Sequence, residues 1–157
     1  MVAQSLRARE SQMLFRFHHI LVPVDITGRS KAALGIALDL AVENKVRVTL
    51  LHVIQTIGND DEAPDAETQQ FYDRLQSRVA SELNEMAKGF REAGIDVAVR
   101  TPVGDRLREI ASFGNEQDVD LIVMSSHRVD PENLAASWGT LSYRVSVVCD
   151  SPILLVK

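Results

Sequence analysis

An open α/β fold, with a five-stranded parallel sheet and helices on both faces, is what this 157-residue chain predicts. Three observations carry that expectation. Short apolar, β-rich runs alternate with helical patterns from Ile20 to the final Val156. A helix-length segment separates each run from the next, which is the connection that parallel pairing requires. Two of the runs also end in residues suited to a ligand at one sheet edge. Ile20–Asp25 ends in a carboxylate, and Leu121–Met124 runs into Ser125, Ser126, His127 and Arg128.

Ile20 to Val24 reads as a short buried strand, although Pro23 cannot donate to a ladder and predicts irregular pairing. Gly28, Arg29 and Ser30 break the chain. Ala33, Ile36, Ala37, Leu40 and Ala41 then recur at helical spacing. Val46–Ile54 reads as the second strand, and residues 58–67 as an acidic, solvated loop without the spacing of an EF-hand. Leu75, Val79, Leu83, Met86 and Phe90 stripe a long helix over about 68–92, which Gly94 ends. Ile95, Val97 and Val99 alternate with more polar neighbours and give the third strand. Gly104 and Asp105 turn the chain, and Asp105 caps a short helix carrying Leu107, Ile110 and Ala111, with Gly114 beginning its exit. The fourth strand is Leu121–Met124. A Gly139-Thr140 step opens the last helix, with Leu141, Val145 and Val148 on one face. Asp150, Ser151 and Pro152 stop it before the strand Ile153–Val156.

Composition narrows the function classes. Apolar residues make up 45% of the chain and charged residues 25%, ordinary for one globular domain. The formal net charge of −5 argues against non-specific nucleic-acid binding, which needs a basic face. No apolar run reaches the roughly 20 residues of a membrane helix. Residues 1–16 read as a tail ahead of a domain spanning 17–157, without a signal-peptide pattern. Cys149 is the single cysteine, so no internal disulfide can form, and a reducing, cytoplasmic location is expected. No nucleophile elbow, H-E-x-x-H or P-loop is present, and His18, His19 and His52 have no metal-ligand spacing. No catalytic residue and no metal ligand is assigned.

The ends of the first and fourth strands carry the candidate chemistry. If those strands are neighbours, Asp25, Ser125 and the Gly139 turn share one crevice. Asp25 there suits a ribose hydroxyl, an adenine amine or a magnesium ion; as a plain turn carboxylate it suits a helix start equally well. Gly139 and Thr140 can offer backbone N–H groups and a hydroxyl to phosphate. Each helix-end contribution is only about 0.3–1 kcal/mol, so several donors must converge. His127 and Arg128 are either phosphate contacts or solvated turn residues. Trp138 is expected to pack over the helix start or a subunit contact.

Five segments in order, "HILVPVDITGRSKAAL", "VTLLHVI", "VGDRLREIA", "DVDLIVMSSHR" and "WGTLSYRVSVVCDSPILLVK", resemble the universal stress protein family over residues 17–157. The resemblance implies a Rossmann-like sheet of the adenine nucleotide alpha hydrolase type in the order 3-2-1-4-5, and a homodimer. For one branch it also implies ATP, possibly with magnesium, at the point where strand order reverses. Carried over by position, the adenosine side uses Pro23, Asp25 and Val53. The phosphate side uses Ser125, Arg128, Gly139, Thr140 and Leu141, and Met124 is carried as a further nucleotide-binding position. That branch carries G-x2-G-x9-G-[ST], and here only Gly139 and Thr140 match it; Ser125 and Arg128 stand at the other glycines when the histidines are aligned. Serine brings a hydroxyl and arginine a fixed charge where glycine would let the backbone approach.

Three functions follow. The first is a stress-response regulator that binds ATP or a related adenine nucleotide and works as a ligand-sensing dimer. The second is a stress protein acting through dimerisation and an unidentified protein partner, without nucleotide. The third is a slow ATPase. An apolar final strand at a sheet edge invites a second copy, so Ile153, Leu154, Leu155 and Val156 are the expected dimer contact.

Overall fold

Every position of the strand β1 (His19–Pro23) is buried, because neighbouring strands flank it and helices cover both its faces. The computed structural model describes residues 17–58, 63–127, 131–132, 135 and 139–157. After β1 come α1 (Lys31–Asn44), β2 (Arg47–Leu51), β3 (Ile54–Gln55), α2 (Ala66–Glu92), β4 (Val97–Arg100) and β5 (Val103–Gly104). Then follow α3 (Arg106–Glu116), β6 (Leu121–Ser125), α4 (Leu141–Val148) and β7 (Ile153–Val156). The main sheet has five strands in the order β4-β2-β1-β6-β7, all parallel. Counted along the chain, these long strands stand 3-2-1-4-5, as the resemblance implied.

Alternation along β1 divides the core. Ile20 and Val22 join Val48, Leu50 and Val123 on one face, under Ala33, Ala37 and Ala41 of α1 and Val79, Leu83 and Phe90 of α2. Leu21 joins Leu51, Ile122 and Met124 on the other, under Ile110 of α3 and Val145 of α4. Fully burying such a side chain is worth about 1.5–3 kcal/mol, so apolar residues on both strand faces require helices on both sides.

Register is fixed at the β1–β6 seam. The Asp120 carboxylate accepts the N–H of His18 at 2.6 Å and of His19 at 3.1 Å, while Asp120 N–H donates to the His19 carbonyl. This aligns Ile20 with Leu121 and Leu21 with Ile122. Pro23 lies in regular register with Leu51, contrary to the expected irregularity. The His19 carbonyl faces β6 and Val24 N–H faces β2, so by alternation the donor that Pro23 lacks faces β6, where the paired residues end at Leu21.

Several element boundaries differ from the sequence reading. The second strand stops at Leu51, and Ile54–Gln55 instead pairs with Val103–Gly104 as a separate two-stranded ribbon. The third strand begins at Val97 rather than Ile95. Asp65 caps α2 by accepting Thr68 N–H, so that helix starts at Ala66. Asp105 caps α3 as expected, but Gly114 does not end it. Gly114 is buried within the helix, where an added Cβ would lie 3.5 Å from Ile122 Cδ1. In α4 the inward face is Ser142, Val145 and Cys149, and Val148 is 48% exposed. Ile36 of α1 is likewise on the solvent side. Among the described residues no helix is long and apolar enough to cross a membrane. The expected tail 1–16 and most of the acidic loop (59–62) lie outside the described residues.

Candidate functional site

Strand order reverses between β1 and β6, so ligand chemistry is expected beyond the carboxyl ends of these two strands. Asp25 follows β1 and is half-buried. Its Oδ1 accepts both the N–H (3.0 Å) and the hydroxyl (2.7 Å) of Thr27, and its own N–H donates to Ser30 Oγ at 3.0 Å. This aspartate turn reverses the chain into α1, with Gly28 supplying a φ of +83° that other residues rarely adopt. Oδ2 takes no hydrogen bond from a described residue.

At the end of β6 two serines diverge. Ser125 Oγ donates to the Arg29 carbonyl at 3.2 Å, on the α1 side of the sheet. Ser126 Oγ lies 3.3 Å from Ser142 Oγ, on the α4 side. Thr140 is the N-cap of α4, its hydroxyl accepting Tyr143 N–H at 3.4 Å and lying 3.4 Å from Ser142 Oγ. Gly139 is outside the left-handed region and, among the described residues, has nothing within 4 Å of where a Cβ would stand. The backbone conformation does not require a glycine there.

The structure brings the sequence-predicted residues together in two groups. Val53, Met124 and Leu141 share the apolar cluster beneath α3 and α4. Val53 and Met124 retain only 5% and 4% exposure, and Pro23 is buried. Asp25 and Ser125 line a cleft of about 450 Å³ on the α1 side, together with Arg29, Ser126, His127 and Lys157. Arg29 and Lys157 were missed by sequence reasoning. The available signal was position alone: each follows a strand end by a few residues. Gly139 and Thr140 are not among the residues lining this cleft, and Arg128 and Trp138 lie outside the described residues.

Other polar groups have structural occupations. His52, at the end of β2, donates from Nδ1–H to the Val24 carbonyl at 2.8 Å and so ties the β2 tip to the β1 tip. A larger cavity of about 650 Å³ lies beyond β3 and β5, lined by Asp65, Tyr72, Asp105, Arg108 and Glu109. Two of its acids and its phenol are engaged: Asp65 and Asp105 cap helices, and Tyr72 accepts Ile57 N–H. The backbone N–H and side chain of Thr68 hold the Asp65 carboxyl below its usual range. Burial, with Asp150 nearby, pushes the Cys149 thiol up, so it stays protonated at neutral pH and is a poor nucleophile. Among the described residues no three His, Cys, Asp or Glu side chains converge as a metal site.

Comparison with known proteins agrees with this fold. The profile of the universal stress protein family matches residues 16–157. Universal stress protein YxiE of Bacillus subtilis (strain 168) is 24% identical over 152 residues, covering 90% of this chain and 99% of that protein. The solved structure of hypothetical protein MJ0577 superposes with a TM-score of 0.73 at 25% identity, covering 90% of this chain and 96% of that one. A universal stress protein solved in complex with cAMP superposes with a TM-score of 0.69 at 18% identity, covering 90% and 98%.

Proposed function

The chain belongs to the universal stress protein family, and we propose that it is a stress-response regulator that binds an adenine nucleotide at the β1–β6 switch point and acts as a homodimer. One observation carries the reading. The chain ends of β1 and β6, distant in sequence, place the Asp25 carboxylate and the Ser125 and Ser126 hydroxyls around one cleft. Val53, Met124 and Leu141 cluster behind these strand tips on the α3–α4 face, the apolar surface proposed to receive the base. A cAMP complex in a protein of the same fold supports the ligand class.

The residues define what the site does. The unshared oxygen of Asp25 is suited to accept from a ribose hydroxyl or an adenine amine. The serine hydroxyls are suited to donate to phosphate oxygens. We propose binding and sensing rather than fast hydrolysis, with slow ATPase activity as the upper limit. The test is mass spectrometry of small molecules released from gently purified protein, followed by thermal unfolding with added AMP and Mg-ATP. An adenine nucleotide in the released fraction and a raised midpoint are expected. A clean protein whose midpoint moves with neither compound sinks the reading. One observation favours the second reading, partner contact without nucleotide: Val53 and Met124 are nearly closed off, so a base must displace neighbours to reach them.

The dimer proposal rests on the sheet edge. β7 pairs only with β6 among the described residues, and Leu154 and Leu155 are 39% and 36% exposed. Tyr143, Val147 and Val148 add exposed apolar surface on the preceding helix. A second copy paired antiparallel through Ile153–Val156 would cover this edge in an isologous contact. Leu154→Lys is expected to convert a dimer to a monomer in analytical ultracentrifugation, because the interface would then bury an unpaired cation. An unchanged sedimentation mass rejects this interface.

A further inference from the structure

We infer that His52 and Ser30 are positioning residues for the candidate site: together they fix the peptide that joins Val24 to Asp25, and so set where the Asp25 carboxylate stands for a ligand. This deepens the nucleotide reading above and rests on it. A peptide unit is rigid and planar, so holding its C=O and its N–H fixes the backbone torsions on either side. Both ends of this unit are held by side chains from elsewhere in the chain. The Val24 carbonyl accepts from His52 Nδ1–H at 2.8 Å, and Asp25 N–H donates to Ser30 Oγ at 3.0 Å. A carbonyl can only accept, so Nδ1 carries the proton. Val24 N–H is fixed as well, on the Leu51 carbonyl at 2.9 Å. The direction of the Asp25 Cα–Cβ bond follows from these contacts.

Ser30 marks this as more than turn packing. It is the N-cap of α1, where a serine hydroxyl ordinarily accepts an N–H from the first turn of its own helix. Ser30 Oγ makes no such bond and instead accepts Asp25 N–H, in a residue only 3% exposed. The helix forgoes a cap and the aspartate turn gains a clamp. His52 is used in the same way. Its own N–H already joins the sheet edge through the Arg100 carbonyl, so strand pairing does not require the ring's bond to Val24. With the backbone fixed, Thr27 sets the carboxylate by giving its N–H and its hydroxyl to Oδ1. Oδ2 is the acceptor left for a ligand hydroxyl or amine, and it is held in place before a ligand arrives. Such preorganisation raises affinity because the group need not be ordered on binding.

Calorimetric titration of the full chain with AMP and with Mg-ATP tests this through double-mutant cycles with Asp25. Asp25→Ala is expected to weaken binding about tenfold or more, as loss of a hydrogen bond to a charged group does. His52→Leu and Ser30→Ala are each expected to weaken it about three- to tenfold, and to do almost nothing further once residue 25 is alanine. Ser30→Ala removes no capping bond, so α1 keeps its start. His52→Asn carries an N–H at the same δ position and is expected to stay within about twofold of wild type. Should His52→Leu not fold, as judged by thermal unfolding, His52→Gln, whose amide sits one bond further out, takes its place. Losses that add fully to that of Asp25→Ala overturn the inference, because a merely structural role lowers affinity whatever stands at position 25. An affinity indifferent to Asp25→Ala overturns it too, as does a loss in His52→Asn equal to that of the variant lacking the δ donor. Each of these leaves the nucleotide reading standing. Binding of neither AMP nor Mg-ATP by the wild type overturns that reading and the inference together.

Discussion

Ile122→Ala is expected to cost about 2–5 kcal/mol, the range for truncating a buried isoleucine in a core that relaxes only partly. Ile122 has no exposure and stands in β6 between Leu21 of β1 and Ile153 of β7. Its Cδ1 meets α3 at Gly114, where even an added Cβ would be in contact. The side chain therefore joins both halves of the sheet to the helix above it. Against a typical total of about 5–15 kcal/mol, the loss is a large share. Urea unfolding should show a lower midpoint with an unchanged slope, and Ile122→Val should cost only about 0.5–1.5 kcal/mol. Below the melting range the folded variant should bind AMP within a few-fold of wild type, because Ile122 does not line the cleft. A loss under 1 kcal/mol for Ile122→Ala would mean that this cluster closes around the gap.

How much of this was legible in the sequence depends on element length. The long strands and helices announce themselves because burial on two faces forces continuous apolar runs, as in Ile20–Val22 and Leu121–Met124. The β3–β5 ribbon, only two residues per strand, leaves no periodic trace. Gly114 reads as a helix exit, but it lies inside α3, buried against Ile122. Val148 fits the apolar stripe of α4 by spacing and still faces solvent, because Ser142 and Cys149 take the inward positions. The adjacency of Asp25 and Ser125 followed from topology, which crossover connections constrain strongly. Arg29 and Lys157 did not follow, since an arginine in a turn and a lysine after a strand look like ordinary surface charges. Three-dimensional proximity alone turns them into a pair.

Acidification from pH 7.5 to 5.5 is expected to destabilise the protein through His19. The residue is 4% exposed, and its ring is held from both sides. Nδ1 lies 2.9 Å from the Gln117 carbonyl, which can only accept, so Nδ1 carries the proton. Nε2 then accepts from the Thr49 hydroxyl at 2.8 Å, and Phe113 meets the ring edge-on. This arrangement binds neutral imidazole. Burial lowers the His19 pKa below its ordinary 6.5; Arg47 pushes the same way, and the Gln117 carbonyl, Asp120 and Asp118 oppose without reversing it. Above about pH 6.5 neither the folded nor the unfolded chain carries the proton, and the full stability is present. As pH falls through 6.5 the unfolded chain takes up a proton that the folded chain refuses. Stability therefore declines until the lower folded pKa is reached, with a limiting slope of about 1.4 kcal/mol per pH unit. Asp65, whose carboxyl is held below its ordinary 3.8, acts in a separate and more acidic window. His19→Gln keeps an N–H for the Gln117 carbonyl but cannot titrate. It is expected to lower stability by about 1–3 kcal/mol at pH 7.5, because the ring's packing and the Thr49 bond change, and to flatten the profile down to pH 5.5. Urea titrations of both proteins at pH 7.5, 6.5 and 5.5 decide the matter: parallel slopes in the two would show that the acid sensitivity lies elsewhere than in this buried ring.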